Sequence, residues 1–293
     1  MKRIKYDDKL FPEKLKYIDN APKMLYVEGN IANLNTNCIA VIGSRSCTEY
    51  GEKWCEIFVK ELVKYNLTIV SGMAIGMDTV AHRAALNAGG KTIAVLPSGL
   101  KNIYPMQNLK LYNKILESGG TVISEYSPKT QAGYEKYLER NRIVSGLSIA
   151  TLVVEAAHRS GTTVTARFAK EQGRDVFCIP GSLDSPKSIG TNNLIKEGAK
   201  IAITPEDIII NYPFLNKKEN IINEIKEEKQ EKIEVIPEEY KDIYNAIENE
   251  PTDVNEIAKK TKINLSQIIS KLTMLELEGK VKKLPGNKYK KEV

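Results

Sequence analysis

Apolar runs of strand length recur along most of this chain, and they constrain the fold more than any other feature. The runs lie at Cys38–Ile42, 67–70, 91–96, 121–124, 149–155, 175–179 and 200–203. Most are rich in Val and Ile and apolar at consecutive positions, which is typical of parallel strands covered on both faces. Helical stretches lie between them, at 50–65, 78–88, 108–118 and 163–172. This alternation predicts a doubly wound, mostly parallel, Rossmann-like α/β sheet.

Composition divides the 293 residues into a main domain and a smaller one. Residues 1–35 form a short N-terminal prelude, and the alternating strands and helices of the α/β domain fill 36–212. Residues 213–235 are expected to be a charged linker, because Lys and Glu dominate them and large apolar side chains are few. A second compact domain is expected over 236–293.

The second domain shows the start and stop signals of three helices. Pro237 can begin the first helix. Asp253 and Asn264 each stand three residues before a Glu or a Gln, which is the capping-box spacing, and Gly279 is placed to end the third helix. The segment VKKLPGNKYKK then reads as strand, turn and strand. Three helices and a β-hairpin predict a winged-helix domain.

The loops that follow the first strands carry the candidate binding residues. In an open α/β sheet, ligands bind beyond the carboxyl ends of the strands. The first strand is followed by Gly43-Ser44-Arg45, the second by 71–78 (SGMAIGMD) and the third by 97–101 (PSGLK). Glycine lets a ligand approach the backbone, and helix N-termini at this edge present unpaired N–H groups to anions. Because Arg45 adds a planar cation that suits phosphate, the pattern predicts an anion pocket.

Several kinds of chemistry lack their signature in this sequence. The dinucleotide fingerprint GxGxxG and the P-loop sequence GxxxxGK[ST] are absent, which disfavours a nucleotide cofactor. There is no HExxH or CxxC motif, and the chain has two histidines, which disfavours a zinc site. Ser44 and Ser71 have no evident activating partner of the kind that a nucleophile needs. We therefore expect no catalytic residue, no metal and no cofactor.

The bulk properties fit a cytoplasmic protein with a polyanionic partner. The formal net charge is +6 and the isoelectric point is near 8.9, an excess that permits nucleic acid as a partner without requiring it. The four cysteines are expected to be buried thiols in a reducing compartment. We expect neither a signal peptide nor a membrane contact, because no apolar stretch approaches the roughly 20 residues of a membrane-spanning helix.

Six blocks of sequence, in order, resemble the signature stretches of one known family. They are VIGSRSCTEYG, IVSGMAIGMDTVAHRAAL, TIAVLPSGLKNIYPMQN, ERNRIVSGLS, VVEAAHRSGTTVTARFAKEQGRDVFCIPG and SIGTNNLIKEGA. The family is that of the DprA (DNA-processing protein A) or Smf proteins, and the resemblance covers about residues 11–212. Six ordered blocks are far more specific than any single glycine loop.

This resemblance implies an extended Rossmann-type domain that binds single-stranded DNA in a basic pocket. It also implies protection of incoming strands, help in loading RecA recombinase onto them during natural transformation and recombination, and a homodimer formed through the α/β domain. Arg45 is expected to hold a backbone phosphate, with added charge from Lys101 and from a turn at 140–142. Tyr104 or Tyr126 is expected to stack on a base. The implied DNA-binding residues are Gly43, Ser44, Arg45, Ser71, Gly72, Ala74, Gly76, Lys101, Tyr104, Asn108, Arg140, Asn141 and Arg142.

One stretch departs from the family's pattern. After the sequence SEY the family usually has a proline- and phenylalanine-rich segment, whereas this chain reads SPKTQAGYEKYLERNR. Tyr137 is expected to replace the usual aromatic side chain. The path of the loop at 127–139 is left open.

Two other functions stay open beside this one. The segment Glu155 to Thr162 (EAAHRSGT) is similar to part of the nucleotide phosphoribohydrolases of the LOG/lysine-decarboxylase-like type, although those enzymes place Gly-Gly-x-Gly-Thr before the glutamate. A transcription regulator with an α/β sensor domain and a winged helix that reads duplex DNA is the third reading. The six lysines between Lys280 and Lys291 could contact DNA phosphate or a protein, and the sequence does not choose between the two.

Overall fold

The computed structural model describes residues 1–158, 160–215, 237–248, 250–277, 279–284 and 286–291. Contacts divide the chain into two units, Met1–Asn220 and Ile221–Val293. The first unit is built on a nine-stranded sheet and the second on a three-stranded one. The predicted fold class, a mostly parallel α/β sheet with a C-terminal winged helix, is confirmed.

Nine strands form the sheet of the α/β unit. In chain order they are β1 Lys2–Lys5, β2 Met24–Gly29, β3 Cys38–Ile42, β4 Thr68–Ser71, β5 Thr92–Val95, β6 Thr121–Ser124, β7 Ala150–Val153, β8 Asp175–Cys178 and β9 Lys200–Ile201. Their order across the sheet is β1-β2-β6-β5-β4-β3-β7-β8-β9. All neighbours from β6 to β9 are parallel, while β2 pairs antiparallel with both β1 and β6. The chain winds outward in opposite directions from β3, so the switch point of the sheet lies between β3 and β7.

The central strand β3 shows why the parallel strands read as continuous apolar runs. All five of its residues are buried. Ile39 and Val41 pack into the core on one face of the sheet, and Ala40 and Ile42 pack into the core on the other face. Because alternate side chains of a strand point to opposite faces, a strand covered on both faces is apolar at every position.

Helices supply those two covering layers. They are α1 Glu13–Lys16, α2 Glu49–Lys64, α3 Met77–Asn87, α4 Leu109–Glu117, α5 Tyr134–Gly146, α6 Gly161–Glu171, α7 Ile189–Lys196 and α8 Glu206–Ile209. Phe58 of α2 and Ala81 of α3 belong to one core, and Ile143 of α5 and Ala166 of α6 belong to the other. The loops at the carboxyl ends of β3 and β7 therefore open between the two helix layers.

The sequence does not predict β1 and β2, which join the antiparallel edge of the sheet. Three of the four residues of β1 are exposed, so this strand lacks an apolar run. Its buried residue, Ile4, packs with Leu25 and Val27 of β2 in the same core as α1. The predicted prelude is thus part of the sheet.

The prediction of a turn at residues 140–142 is wrong. These residues lie inside α5, which has no Gly or Pro between its first and last residues. Successive residues of an α-helix are about 100° apart around its axis, so Arg140 and Arg142 point about 200° apart. The helix therefore sends these two side chains to different sides of the unit.

The second unit has the three helices and the hairpin that the sequence predicts. Its helices are α9 Glu238–Ala246, α10 Val254–Thr261 and α11 Leu265–Leu277, and its strands are β10 Thr252–Asp253, β11 Val281–Leu284 and β12 Lys288–Lys291. The strand order is β10-β12-β11, with both pairs antiparallel. Its own small core includes Ile243, Ile257, Ile268, Leu272 and Tyr289.

The predicted helix ends of this unit are confirmed. Asp253 Oδ1 accepts the backbone N–H of Asn255 at 2.8 Å, and Asn264 Oδ1 accepts that of Ser266 at 2.9 Å. Gly279 ends the third helix with a φ of 69°, in the left-handed region that glycine adopts without strain.

The predicted domain boundaries stay a prediction. Residues 216–235 of the expected linker lie outside the described residues, and the part that is described, Pro213–Leu215, forms a short 3-10 helix with Leu215 buried in the α/β unit. Within the described residues, no helix is both long and apolar enough to cross a membrane.

We expect residues 1–215, expressed alone, to fold as the α/β unit does in the full chain. The buried clusters of that unit contain residues up to Leu215, and the cluster of the winged helix begins at Ile243, so the two cores share no described residue. Circular dichroism and thermal unfolding of the fragment should reproduce the α/β transition of the full chain. An aggregated fragment, or one without cooperative unfolding, would show that the boundary is misplaced.

Candidate functional site

A cleft of about 590 Å³ lies at the switch point of the sheet, and we call it the switch-point cleft. Its walls come from the loops after β3 and β4, from α5 and from the start of α6. Seven of the predicted binding residues line it: Gly43, Ser44, Arg45, Gly72, Ala74, Arg140 and Asn141. The other predicted residues, which do not line it, are Ser71, Gly76, Lys101, Tyr104, Asn108 and Arg142.

Arg45 presents an exposed guanidinium at the mouth of this cleft. Its Cζ lies 4.7 Å from the ring centroid of Tyr137, a cation–π contact that orients the guanidinium plane. Tyr104 packs edge-on against Tyr137 with the ring centroids 6.2 Å apart. In the described part of the chain, no carboxylate pairs with Arg45, so its N–H groups are available to an anion.

Arg140 forms the floor of the cleft, and its guanidinium N–H groups donate hydrogen bonds to other atoms of the protein. The residue is buried, its Nη1 donates to the carbonyl oxygens of Gly72 and Val95, and its Nε donates to Asn141 Oδ1 at 3.2 Å. Burial lowers the pKa of Arg140, and the nearby Asp78 carboxylate opposes that shift. Gly72 has to be glycine, because a Cβ there would overlap the guanidinium. This arginine therefore fixes the loop after β4.

A second set of contacts holds the same loop from the other side. Asn108 Nδ2 donates to the carbonyl oxygen of Met73 at 2.8 Å and to Thr79 Oγ1 at 2.9 Å. Asp78 Oδ2 accepts the backbone N–H of Ala74 at 3.2 Å. Burial raises the pKa of Asp78, against the opposing effect of Arg140. Asn108 and Asp78 thus position the cleft from behind.

Two predicted residues support the loops through close backbone packing. Ser71 is buried, and its Oγ donates to the carbonyl oxygen of Val41 at 2.7 Å. Gly76 has a φ of 86°, and a Cβ there would overlap the backbone of Arg45. The glycine therefore lets the loops after β3 and β4 pack together beneath Arg45.

One wall of the cleft was not predicted, and it begins at the N-terminus of α6. Gly161 and Thr162 line the cleft, and Thr162 Oγ1 donates to the carbonyl oxygen of Gly43 at 3.0 Å. No acceptor among the described residues takes the backbone N–H groups of Gly161 and Thr162, which the first turn of a helix leaves unpaired. Lys187 also lines the cleft, with its Nζ in contact with Ser46 Oγ. The Ser-Gly-Thr-Thr segment before a helical pattern was the available sequence signal for this anion site.

Arg142 and Lys101 lie away from the cleft lining. Arg142 lines a separate cavity, donates from Nη1 and Nη2 to the two carboxylate oxygens of Glu125 at 2.7 Å each, and donates from Nε to Asn20 O at 2.9 Å. Its charge is therefore largely compensated. Lys101 is exposed in the loop after β5, where its backbone N–H donates to Pro128 O at 2.8 Å.

Glu155 faces helix α2 and does not line the cleft. Its Oε2 accepts the backbone N–H of Thr48 at 3.0 Å, and its Oε1 accepts Thr48 Oγ1 at 2.5 Å. Thr48 is the N-cap of α2, and Gly51 in the first turn leaves room for the carboxylate. A carboxylate buried against a helix N-terminus stabilises that terminus, so this glutamate has a structural task.

Comparison with known families accounts for most of the chain. Residues 2–213 match the family described as DNA recombination-mediator protein A, and residues 227–287 match the DprA winged helix domain. Protein Smf of Escherichia coli strain K12 is 38% identical over 288 residues, which cover 97% of this chain and 75% of that protein. The DNA processing protein DprA of Streptococcus pneumoniae is 42% identical over 207 residues, which cover 71% of this chain and 73% of that protein.

Two solved structures resemble the α/β unit. The X-ray structure of DprA from Streptococcus pneumoniae matches with a TM-score of 0.68 at 42% identity, covering 71% of this chain and 73% of that one. DNA processing protein A from Helicobacter pylori matches with a TM-score of 0.65 at 30% identity, covering 72% of this chain and 95% of that one. The description of the second structure concerns its single-stranded DNA binding mode.

Replacing Glu155 by Gln should destabilise the α/β unit by about 1–3 kcal/mol, because the charge-assisted hydrogen bonds to Thr48 are weakened. Thr48→Val should cost a similar amount, and the double variant should cost less than the sum of the two because they share one interaction. Chemical denaturation of the three variants measures this coupling. Additive costs would show that the contact between Glu155 and Thr48 contributes nothing.

Proposed function

Because the chain belongs to the family of DNA recombination-mediator protein A, the DprA/Smf family, we propose that it binds single-stranded DNA in the switch-point cleft. The observation that carries the proposal is the exposed guanidinium of Arg45, which lines the same cleft of about 590 Å³ as a helix N-terminus whose first two N–H groups have no acceptor among the described residues. Both groups favour a phosphate oxygen. The single-stranded DNA binding described for the Helicobacter pylori relative supports the same ligand.

A backbone phosphate in this proposal lies between two walls of the cleft. Arg45 donates to it from one side, and the N–H groups of Gly161 and Thr162 donate from the other. Lys187 adds a charge at the rim. The small residues Gly43, Ser44, Gly72 and Ala74 leave room for the sugar-phosphate chain.

Aromatic rings at the mouth of the cleft supply the complementary contact for bases. Tyr134 is 80% exposed and lines the cleft. Tyr104 is 51% exposed, and its ring packs against the half-buried ring of Tyr137, which also lines the cleft. Stacking on such rings tolerates every base, which suits a protein that covers strands of any sequence. Tyr126 is a weaker candidate, since its hydroxyl donates to Glu139 at 2.7 Å.

The remaining predicted residues take supporting parts. Arg140, Asn108, Ser71 and Gly76 set the shape of the cleft, and Asn141 joins Arg140 to the wall. Lys101 flanks the strand beyond the cleft. The charge of Arg142 contributes little in this proposal, because Glu125 already holds it.

Arg45→Ala should weaken binding to single strands of all sequences alike. Each lost phosphate contact should also flatten the slope of log affinity against log salt by about 0.7. Arg83→Ala is the matched control, because Arg83 is an exposed arginine on α3 that does not line the cleft. Fluorescence anisotropy with labelled single strands at several salt concentrations measures both quantities.

The thermal stability of the Arg45→Ala variant should equal that of the wild type, since the side chain is exposed. A stable Arg45→Ala protein with unaltered affinity and slope would remove Arg45 from the site. It would also remove our placement of the strand in the switch-point cleft.

We also propose that the protein protects incoming strands and helps to load RecA during natural transformation and recombination, and the family is the support for this. Adding the protein to single strands already coated with single-strand-binding protein should accelerate assembly of RecA from the same organism. Arg45→Ala should lose most of this acceleration, because strand binding precedes loading. Equal assembly rates with and without the wild-type protein would contradict the proposal.

A homodimer through the α/β unit is part of the same proposal. Strand β9 ends the sheet, and apolar side chains near that edge are exposed: Ile201 by 48%, Ile203 by 64% and Ile210 by 76%. An edge strand with exposed apolar neighbours favours pairing with another chain. A second copy of this chain is the partner that the family suggests.

The contacts of Glu155 count against the ribohydrolase alternative, because both of its carboxylate oxygens are taken by Thr48 outside the cleft lining. Across the described residues, no group of His, Cys, Asp and Glu side chains could hold a metal ion. We keep as the proposal a binding protein without catalytic residues or cofactor that acts in the cytoplasm, and the family is the support for this. The transcription regulator is the weaker alternative, since the Helicobacter pylori relative is described by its single-stranded DNA binding mode.

A further inference from the structure

An open groove of about 590 Å³ lies at the antiparallel edge of the sheet, and we call it the prelude groove. Its lining comes from the end of β1 and the start of β2: Lys5, Tyr6, Asp7, Ala21, Lys23 and Met24. Lys5 stands directly opposite Met24 in the ladder, so their side chains lie on the same face of the sheet. The prelude groove shares no lining residue with the switch-point cleft, and it is therefore a separate feature of the surface.

Part of the prelude groove is apolar and held in place by the surrounding structure. The ring of Tyr6 packs against that of the buried Phe11, with the centroids 5.4 Å apart, and Lys16 Nζ lies 5.9 Å from the centroid of the Tyr6 ring. Tyr6 is nevertheless 37% exposed. Ala21 and Met24 line the same groove and are half-buried. The groove thus offers an apolar surface that is already formed before a ligand arrives.

Cations dominate the charge of this region. Lys5 and Lys23 are exposed, and neither ammonium group pairs with a carboxylate of the described residues. Among the described residues that line the groove, Asp7 is the one carboxylate. Residues 1–24 contain seven Lys and Arg against four Asp and Glu, and this excess is half of the net charge of +6. An apolar surface between cations fits an apolar side chain that is flanked by carboxylates.

The backbone at this edge is already hydrogen-bonded within the chain. The backbone N–H of Lys5 donates to Asp8 Oδ2 at 2.6 Å, and the N–H of Asp8 donates to Lys5 O at 3.0 Å. On the other side, the N–H of Tyr6 donates to Lys23 O at 3.0 Å. An added strand from a second copy of this chain, or from an extended peptide, therefore finds no free backbone group at Lys5. Recognition in the prelude groove is by side chains.

Carboxylates separate the prelude groove from the switch-point cleft on one side. A second cavity of about 560 Å³ shares Leu138 with the cleft, and its Asn20 directly precedes Ala21 of the groove. The acidic residues that line this cavity are Asp19, Glu139 and Glu171. A DNA strand that left the cleft on this side would bring its phosphates against them, and like charges repel. The prelude groove therefore suits a polypeptide better than a continuation of the bound strand.

We propose that the prelude groove docks an acidic segment of a partner protein. One apolar side chain of the segment packs against Tyr6 and Met24, and its carboxylates lie beside Lys5 and Lys23. A volume of about 590 Å³ holds a few side chains rather than a folded domain, so the docked part is a short tail or loop. Because the groove and the cleft share no lining residue, the segment docks while a single strand occupies the cleft.

The test uses the full chain and a fluorescein-labelled peptide in which a run of aspartates precedes a C-terminal Leu-Phe pair. Fluorescence anisotropy should show binding that weakens as salt is added. Lys5→Gln/Lys23→Gln should weaken it on the order of fivefold, because two exposed charge pairs are lost. Asp7→Asn should strengthen it, since a like charge is removed. The matched control, Lys60→Gln/Lys110→Gln, changes two exposed lysines of α2 and α4 and should bind the peptide like the wild type.

Two altered peptides separate the charged contacts from the apolar one. A peptide with Asn in place of Asp, and a peptide with Ser-Ser in place of Leu-Phe, should each bind more weakly than the first. The affinity of Lys5→Gln/Lys23→Gln for single strands should equal that of the wild type, which also shows that the variant is folded.

No binding of the acidic peptide to the wild type at millimolar concentration would overturn this inference. Equal affinities of the wild type and Lys5→Gln/Lys23→Gln, or equal losses in that variant and in the control, would do the same. An unlabelled single strand added to the Arg45→Ala protein should leave the peptide bound. If it displaces the peptide, the prelude groove is a nucleic-acid contact and the partner is not a protein. The proposal for the cleft is tested by strand affinity and stands or falls separately.

Discussion

Complete burial of β3 is the constraint on which the rest of this structure depends. A strand apolar at every position needs cover on both faces, and two helix layers supply that cover. The chain leaves β3 toward one layer and reaches β7 through the other, so the loops beyond these two strands separate. The switch-point cleft is the space left by that separation, which is why Gly43 and Arg45 face the start of α6.

A buried guanidinium gives this cleft its fixed shape. Taking a charge out of water is expensive unless hydrogen bonds and a counter-charge compensate it, and Arg140 has two carbonyl oxygens, one amide oxygen and the nearby Asp78. The hydrogen-bond partners belong to β5, to the loop after β4 and to α5 itself, while Asp78 belongs to α3. One side chain therefore ties together three elements, and Arg45 lies on a floor that is already rigid before a ligand arrives.

The sequence predicts the central parallel strands well because they are buried on both faces, and it predicts the caps of the winged helix because Asp253 and Asn264 act locally. It does not predict β1, where one apolar side chain in four gives no periodic signal. The turn expected at residues 140–142 is part of a helix. The sequence does not show this, because three consecutive polar residues carry no information about which of them is buried. The candidate site shows the same difference between local signals, which the sequence carries, and tertiary contacts, which it does not. Loop residues next to a strand are found from sequence, whereas the pairing of Arg142 with Glu125 is a tertiary contact between elements far apart in the chain.

The net charge of +6 is a poor guide to where a polyanion binds, since many cations are already used inside the protein. Arg142 is held by Glu125, Arg140 by carbonyl oxygens, and Lys200 lies 3.0 Å from Asp175. A cation that already has an ion pair must give up that partner to bind a phosphate, so the exchange adds little to the binding free energy. An exposed cation without a partner contributes its full attraction to the phosphate. The informative quantity is therefore the set of uncompensated cations together with the rings beside them. By that measure the proposal of single-strand binding rests on the exposed Arg45 and the tyrosines beside it, and the net charge adds little to it.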